Sequence, residues 1–298
     1  MQWAKLERSK IRVYGKKGNV LPKGIEEHSS FLHGLFSNDI RGMKDKSMLY
    51  SLWLRQNGSP IEDFFIYKME GEYILDTQMH AQKLIEEFQR LKLSLRVYFE
   101  DLTGKLDHFF VFGDGSEDFV RRTFGLELKE GEAEKMDGTT VAKNSIRLRE
   151  EGYDIIVEKG KLEGILKEEE SMSLQEWEDL RIERLVPKIH KELREGFSPL
   201  ESGVLPFGVS LTKGCYVGQE AIARVYYRGR TPRTLAKFEV KSVKEGDRIR
   251  DEEKDVGVIT SVNSKGSLAL GYILREKAKL GKEYGCGEGK AILIQTIQ

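Results

Sequence analysis

The chain has 298 residues, enough for roughly two or three domains that each bury a core. Lys plus Arg and Asp plus Glu both number 49, so the net charge is zero and no overall field favours nucleic acid or an anionic membrane. The two cysteines are far apart and show no CxxC pattern, which argues against a structural zinc or a protein-held iron–sulfur cluster. The sequence has no apolar run typical of a signal peptide or a membrane span, so we expect a cytoplasmic protein.

Short apolar runs alternate with helical repeats over the first part of the chain, which predicts an αβ unit. A helix capped by Ser29 or Ser30 is expected to extend to Phe36, and Thr77 is expected to cap a second helix. The dipeptide Asn57-Gly58 predicts a hairpin turn between two of the strands. Strands are predicted at residues 11–14, 48–54, 61–68, 72–75 and 93–99.

The same alternation begins again beyond residue 100. A strand is predicted at 109–112, followed by a helix that Ser116 caps and Gly125 ends. Residues 145–148 and 153–157 are typical of a hairpin, and a capping box beginning at Ser173 predicts one more helix. The pattern therefore indicates two αβ halves of about a hundred residues each.

After Arg194 glycines and prolines break the periodicity, and beyond Pro232 only short strand-like runs remain. Closely spaced short strands indicate a small barrel or sandwich. We therefore predict an α+β chain with an αβ region at 1–228, divided near residue 100, and a C-terminal barrel at 229–298. The barrel strands are predicted at 235–240, 247–250, 255–262, 267–274 and 290–297.

Between these regions lies the signature loop, Lys213-Gly-Cys-Tyr-Val-Gly-Gln-Glu220. Its two glycines allow positive φ or a close approach to a ligand, as a binding loop requires. Lys213 precedes Cys215 by two residues and is expected to favour the thiolate. The alternative interpretation is a glycine-rich turn whose cysteine is a small buried hydrophobic residue.

The signature loop resembles the motif of the YgfZ-type folate-binding proteins, relatives of the aminomethyltransferase (T-protein) of the glycine cleavage system. A second segment, from Phe31 to Ile40 with Ser37-Asn38-Asp39 near its end, resembles an N-terminal motif of the same family. The resemblance implies two interleaved ferredoxin-like αβ halves around a central cavity, plus a small C-terminal β-barrel. It also implies tetrahydrofolate, or a derivative of it, as the cofactor.

Folate offers N–H donors on its pterin edge, which a carboxylate can accept, and carboxylates on its tail, which need cations. The segment ending at Glu183 resembles the T-protein segment whose acid holds the pterin, although Glu at a helix surface is usually only solvated. Glu62-Asp63 resembles a pair of aspartates in the T-protein, so the Glu puts transferase activity in doubt. The implied reactive residues are Cys215, Lys213 and Asp63. The implied folate-binding residues are Glu183, Asn38, Asp39, Glu62, Tyr216, Gln219, Arg224 and Arg228.

The leading hypothesis is a tetrahydrofolate-binding protein of the YgfZ type that assists assembly or repair of iron–sulfur enzymes, with indirect effects on tRNA modification. Its expected partners are folate and iron–sulfur client proteins, without a membrane. The alternative is an aminomethyltransferase that moves a one-carbon unit to tetrahydrofolate. A third hypothesis, against which the zero net charge argues, is an RNA-binding module that uses the Tyr226-Tyr227 pair. Its basic cluster would be Arg224, Arg228, Arg230 and Arg233. The tyrosine pair can be interpreted as stacking on a base or on the pterin, or as half-buried at a strand end, and the sequence leaves both interpretations open.

We interpret all five histidines as surface or capping residues.

Overall fold

The computed structural model describes residues 1–162, 164–167, 170–229 and 231–297, so Arg230 of the predicted basic cluster lies outside the described residues. The chain forms two compact units. Unit 1 comprises Met1–Trp53, Glu62–Ser173 and Phe207–Val217. Unit 2 comprises Leu54–Ile61, Leu174–Pro206 and Gly218–Gln298.

Most of the regular structure of unit 1 is two sheets and three helices. Its strands are β1 (Gln2–Lys5), β2 (Ser9–Tyr14), β3 (Val20–Leu21), β4 (Ile25–Glu26), β5 (Ser47–Leu54), β6 (Pro60–Met69), β7 (Glu72–Thr77), β8 (Tyr98–Asp101), β9 (Leu106–Phe112), β10 (Ala133–Met136), β11 (Thr139–Lys143), β12 (Gly152–Glu158) and β13 (Ser171–Met172). Its helices are α1 (Glu27–Leu35), α2 (Ala81–Leu91) and α3 (Ser116–Phe124). One sheet has the order β5-β6-β7-β2-β8, the other has the order β10-β11-β12-β9-β1-β13, and β3 pairs with β4.

An aromatic cluster joins α1 to α2 in unit 1. The ring of Phe88, on the apolar face of α2, lies 5.5 Å from that of Phe31 on α1 and 6.2 Å from that of Phe36. The rings of Trp53 and Phe99 lie 6.0 and 5.5 Å from Phe88. Because aromatic side chains bury large areas, this cluster fixes the C-terminal end of α1, to which the candidate site is attached.

Unit 2 contains a closed antiparallel barrel. Its strands are β14 (Arg233–Lys241), β15 (Arg248–Asp251), β16 (Lys254–Val262), β17 (Leu268–Leu274), β18 (Glu283–Cys286) and β19 (Gly289–Thr296), in the order β14-β17-β16-β15-β18-β19. Helices α4 (Leu174–Glu183) and α6 (Gln219–Tyr227) belong to unit 2, and the short α5 (Leu205–Gly208) spans the division between the units. Phe197 stacks on Tyr272 of β17 with ring centroids 4.1 Å apart. None of the helices among the described residues is long and apolar enough to cross a membrane.

The α+β class with a C-terminal barrel is confirmed, and the division of the chain at residue 228 stays a prediction. Three predicted caps are wrong. Helix α1 begins at Glu27, before the serines, and the hydroxyl of Ser29 instead accepts a hydrogen bond from Tyr73. Thr77 lies in β7, and Ser116 is the first helical residue of α3 rather than its cap.

Two strand predictions are also wrong, and seven of the strands given above were not predicted: β1, β3, β4, β10, β11, β13 and β18. Residues 145–148 form turns and not a strand. The other strand of the predicted hairpin, β12, pairs with β11 and β9 instead. The strand expected at 93–99 begins only at Tyr98, because Leu93 adopts a φ of 50° in a turn. Strand β18, which the sequence analysis missed, has little local signal because the apolar Tyr284 and Cys286 flank a glycine.

Candidate functional site

In unit 1 the segment from Phe31 to Ile40 is hydrogen-bonded to residues 207–210, which lead into the signature loop. The backbone N–H of Ser210 donates to the carbonyl of Ser37 at 2.9 Å, and the Ser37 hydroxyl donates to the carbonyl of Gly208 at 2.6 Å. The side-chain amide of Asn38 donates to the carbonyl of Phe207 at 2.8 Å. The segment that leads into the signature loop is therefore attached to the residues that follow α1.

Lys213 is the strongest link between these segments. Its side chain is buried, and Nζ donates to the carbonyls of His33 and Phe36 at 2.5 Å and of Asn38 at 2.8 Å. Burial lowers the pKa of Lys213 to about 7, while the charge of nearby Asp39 acts in the opposite direction. The ammonium of Lys213 thus lies at the C-terminal end of α1.

In the signature loop Cys215 is exposed to solvent, whereas Lys213 and Tyr216 are buried and hydrogen-bonded. Cys215 is exposed, so the interpretation as a small buried hydrophobic residue is wrong. Tyr216 is buried, its hydroxyl donates to the carbonyl of Ser210 at 3.3 Å, and Lys213 Nζ lies 4.8 Å from its ring centroid. Burial raises the pKa of Tyr216 to about 12. The thiol is therefore accessible on a loop that is anchored on both sides of it.

The two glycines of the signature loop differ. Gly218 has a φ of 84° and precedes α6, and a Cβ there would lie 2.5 Å from the carbonyl oxygen of Arg55. Only glycine combines this φ with such a close approach. The structure gives no positive φ for Gly214, whose nearest neighbour to an added Cβ is His33 Nε2 at 3.7 Å.

His33 is buried against this region, which corrects its interpretation as a surface residue. Its Nδ1 accepts the backbone N–H of Arg41 at 3.3 Å and lies 3.3 Å from Oδ1 of Asp39. Burial, together with the positive charges of Lys213 and Arg41, lowers the pKa of His33 to about 4. His28 and His108 are buried as well, so the prediction is wrong for three of the five histidines.

Glu62 and Asp63 are adjacent on β6 and have separate partners, because successive side chains of a strand point to opposite faces of the sheet. Oδ1 of Asp63 pairs with Arg8 at 3.0 Å, and Oδ2 accepts from the Tyr50 hydroxyl at 3.3 Å. The carboxylate of Glu62 is fully buried and accepts from the Thr77 hydroxyl at 2.8 Å. Both predicted acids are therefore engaged within unit 1.

A buried ionic network, which the sequence analysis missed, extends from Asp63. Arg8 joins Asp63 to Asp76 through a second contact of 3.1 Å. Asp76 is also paired with Lys10 at 2.8 Å and with Arg147 at 2.7 Å. These cations hold the pKa of Asp76 well below its usual range, against the effect of burial. No local pattern marks the network, because its members come from distant parts of the chain.

The same network continues to Asp154. Its carboxylate accepts from Arg147 and from Tyr67, both at 2.7 Å, and from Asn144 at 2.6 Å. Nε2 of His108 lies 2.9 Å from Asp154 Oδ1. Although burial opposes it, these contacts lower the pKa of Asp154 to about 2. The network therefore favours the charged forms of Asp76 and Asp154 inside unit 1.

In unit 2, Glu183 is exposed at the end of α4, and its backbone carbonyl accepts from Lys237 Nζ at 2.6 Å. Arg181 is buried two residues earlier, where it pairs with Glu192 at 3.0 Å and donates to Ser261 at 2.7 Å. Glu192, which the sequence analysis did not single out, is fully buried. The segment thus holds a buried structural arginine beside an accessible carboxylate.

Residues 219–227 form helix α6 rather than the strand that the sequence analysis assumed for the tyrosine pair. Arg224 and Arg228 are exposed, and Tyr226 and Tyr227 are 44% and 77% exposed, so the half-buried interpretation is wrong for Tyr227 in particular. Gln219 is the first residue of the helix. Because residues three and four apart share one helix face, Arg224, Tyr227 and Arg228 form a single exposed group.

Unit 2 also contains a cleft of about 850 Å³ beside α6, within the size range of small-molecule sites. Tyr226 lines it together with the apolar Leu200, Leu205, Val225, Pro232 and Leu274. Neither Glu183 nor either of the predicted tail-binding arginines is among its lining residues.

No model of a known protein family matches the chain. An uncharacterised protein of Aquifex aeolicus is 53% identical over 139 residues, which cover 46% of this chain and 93% of that protein. An aminomethyltransferase of Thermoanaerobacter pseudethanolicus is 24% identical over 296 residues, covering 89% of this chain and 78% of the enzyme. The crystal structure of the glycine cleavage system aminomethyltransferase T from Bartonella henselae superposes with a TM-score of 0.80 at 17% identity, over 98% of this chain and 84% of that one.

Proposed function

Because this chain belongs to the same family as the Aquifex aeolicus protein and is related to the aminomethyltransferases, we propose that it is a tetrahydrofolate-binding protein of the YgfZ type. Its proposed role is to assist assembly or repair of iron–sulfur enzymes, with indirect effects on tRNA modification. The observation that carries the proposal is the signature loop with its exposed Cys215, on a chain of which the aminomethyltransferase fold matches 98%.

The proposed folate contacts follow from charge and accessibility. Glu183 is assigned to the N–H donors of the pterin, and Arg224 and Arg228 are assigned to the carboxylates of the tail. All three side chains belong to exposed residues, which supports their availability to a ligand. The further residues of the proposed site are Asn38, Asp39, Glu62, Tyr216 and Gln219.

Cys215 is the proposed reactive group. A thiol acts through its thiolate and has to be accessible, and Cys215 is exposed on a loop that Lys213 and Tyr216 anchor. Cys286, by contrast, is buried in the barrel. The proposal therefore assigns a folate pocket and a thiol as two separable functions of the chain.

Calorimetric titration with tetrahydrofolate tests the folate pocket. Glu183→Gln removes the charge but keeps the shape, and it is expected to raise Kd at least about tenfold, because a charge-assisted hydrogen bond to a ligand contributes about 1.5–3 kcal/mol. The matched control is Glu239→Gln, at an exposed glutamate of β14, which should leave Kd unchanged. Absence of binding to the wild type would reject the folate assignment.

The thiol function is tested separately in cells that depend on the protein for an iron–sulfur enzyme. Cys215→Ser is expected to bind tetrahydrofolate with the wild-type Kd but not to restore the activity of that enzyme. Restoration by this variant would remove Cys215 from the proposal while leaving the folate pocket intact.

The second candidate is an aminomethyltransferase, which the sequence likeness to such enzymes over 89% of the chain favours. In that case Asp63, held by Arg8 and Tyr50, would orient the reacting amine. The assay is transfer from an aminomethyl-lipoyl carrier to tetrahydrofolate. Turnover that Asp63→Asn abolishes would favour this candidate, and no turnover in the wild type would reject it.

A further inference from the structure

We propose that Lys213 is a positioning residue that fixes the loop carrying Cys215, and that it is not the cation that activates the thiol. This inference rests on the proposed function, in which Cys215 is the reactive group. The short spacing of Lys213 and Cys215 in the sequence favours activation of the thiol by Lys213. The position of the Lys213 ammonium in the structure favours a role in positioning the loop instead.

The ammonium of Lys213 is directed towards backbone carbonyls. A protonated lysine has three N–H donors, and three carbonyls lie within 2.5 to 2.8 Å of Nζ, those of His33, Phe36 and Asn38. The contacts join residues that are 175 to 180 positions apart. The donors of Lys213 are thus directed to α1 and the residues after it.

One of the three carbonyls, that of His33, belongs to the last turn of α1, where carbonyls lack intrahelical donors, and the other two follow the helix. In a continued helix the carbonyl of His33 would accept the N–H of Ser37, but that N–H donates to the carbonyl of Leu52 at 2.9 Å. Lys213 supplies the missing donor. The position at the C-terminus of α1 also places its positive charge at the negative end of the helix dipole.

Hydrogen bonds of the backbone around Lys213 fix the position of the loop relative to α1. The N–H of Lys213 donates to the hydroxyl of Ser210 at 3.2 Å, and the N–H of Ser210 donates to Ser37 at 2.9 Å. On the other side of Cys215, the hydroxyl of Tyr216 donates to Ser210 at 3.3 Å. Lys213 and Tyr216 therefore hold the two ends of a short arch with the exposed Cys215 between them.

Two variants of Lys213 distinguish a role in positioning the loop from a role in activating the thiol of Cys215. Lys213→Met removes the donors and keeps the length of the side chain, whereas Lys213→Arg keeps the positive charge but replaces the compact ammonium by a planar fork. The matched control is Lys92→Met, since Lys92 also lies at the end of a helix and donates to a single carbonyl, that of Val97, at 2.8 Å.

Two measurements on the protein alone are made for each variant. The first is amide hydrogen exchange of residues 210–216. The second is the rate of Cys215 alkylation by iodoacetamide as a function of pH, followed by mass spectrometry of the Cys215 peptide. Neither needs folate or a client protein, so the result does not depend on whether the folate assignment holds.

If Lys213 positions the loop, Lys213→Met and Lys213→Arg each raise the exchange rates at least about fivefold, and the midpoint of the alkylation profile stays within about 0.3 pH units of the wild type. Lys92→Met changes neither. A midpoint raised by one pH unit or more in Lys213→Met but not in Lys213→Arg, with exchange unchanged in both, would overturn the proposal.

A third variant covers the case in which Lys213→Met does not fold. Ser37→Ala removes the hydrogen bond to the carbonyl of Gly208 and leaves the charge of Lys213 in place. Faster exchange of residues 210–216 in Lys213→Arg, with an alkylation midpoint that is unchanged in both Lys213→Arg and Ser37→Ala, supports positioning. Unchanged exchange in Ser37→Ala, together with unchanged exchange in Lys213→Arg, contradicts it.

Discussion

Arg147 donates from Nη2 to Oδ2 of Asp76 at 2.7 Å, and both side chains are almost completely buried. Asp76 has two further cationic partners, Arg8 and Lys10, at 3.1 and 2.8 Å. A buried charge is costly unless it is paired, so each member of this network depends on the others. The network also holds Asp63, one of the acids that the aminomethyltransferase alternative requires.

The first prediction concerns the stability of this network. Asp76→Asn leaves three buried cations with one fewer negative charge, and it is expected to lower the free energy of unfolding by about 3–5 kcal/mol. Urea denaturation at pH 7 measures the change. Asp118→Asn breaks the exposed pair with Arg121, in which Asp118 is 58% exposed, and should cost less than about 1 kcal/mol. Equal losses in the two variants would contradict the prediction.

The second prediction compares two glycines with nearly the same φ. Gly218 and Gly229 have φ values of 84° and 85°. An added Cβ meets the carbonyl oxygen of Arg55 at 2.5 Å at Gly218, whereas at Gly229 it meets no atom of the described residues within 4 Å. Gly229→Ala is therefore expected to cost only about 1–2 kcal/mol of backbone strain, and Gly218→Ala at least about 1 kcal/mol more. Thermal unfolding of the two variants checks this order, and a smaller loss for Gly218→Ala would refute it.

The third prediction is a dependence of stability on pH that arises at His33. Its pKa is lowered from 6.5 to about 4 in the folded chain, so between these values the unfolded chain binds a proton that the folded chain does not. Stability therefore rises with pH in this window and is lost as the pH falls from about 6.5 towards 4. His33→Gln removes this contribution, and the variant should lose less stability than the wild type between pH 7 and 4.5. Urea denaturation at both pH values tests it, and parallel losses would show that His33 does not titrate in this way.

The fourth prediction concerns the two thiols. Burial raises the pKa of Cys286 to about 12, and a buried, protonated thiol reacts slowly. The native protein is expected to react with one equivalent of 5,5′-dithiobis(2-nitrobenzoate) at pH 8, and the unfolded protein with two. Cys215→Ser should show no fast reaction until it is unfolded. Two fast equivalents in the native wild type would mean that Cys286 is accessible.

Elements with a strong local signal were predicted well. The hairpin of β5 and β6 follows the Asn57-Gly58 turn, and α3 ends at Gly125, whose φ is 69°. These outcomes depend on a few adjacent residues, so the sequence contains what decides them. The prediction for residues 145–148 was wrong because the partners of β12 are chosen by packing across the chain, and local propensity does not specify them.

In the candidate site, too, the features that adjacent residues specify were predicted, and the contacts between distant residues were not. The sequence by itself determined the signature loop with its cysteine, the Asn38-Asp39 segment and the αβ-then-barrel order of the chain, because motifs and hydrophobic periods are local properties. Only the tertiary structure decided that Lys213 caps α1 and that Arg8 joins Asp63 to Asp76. These partners are 55 to 180 residues apart. A buried polar group must find a partner wherever the folded chain supplies one, and sequence distance sets no limit on where that is.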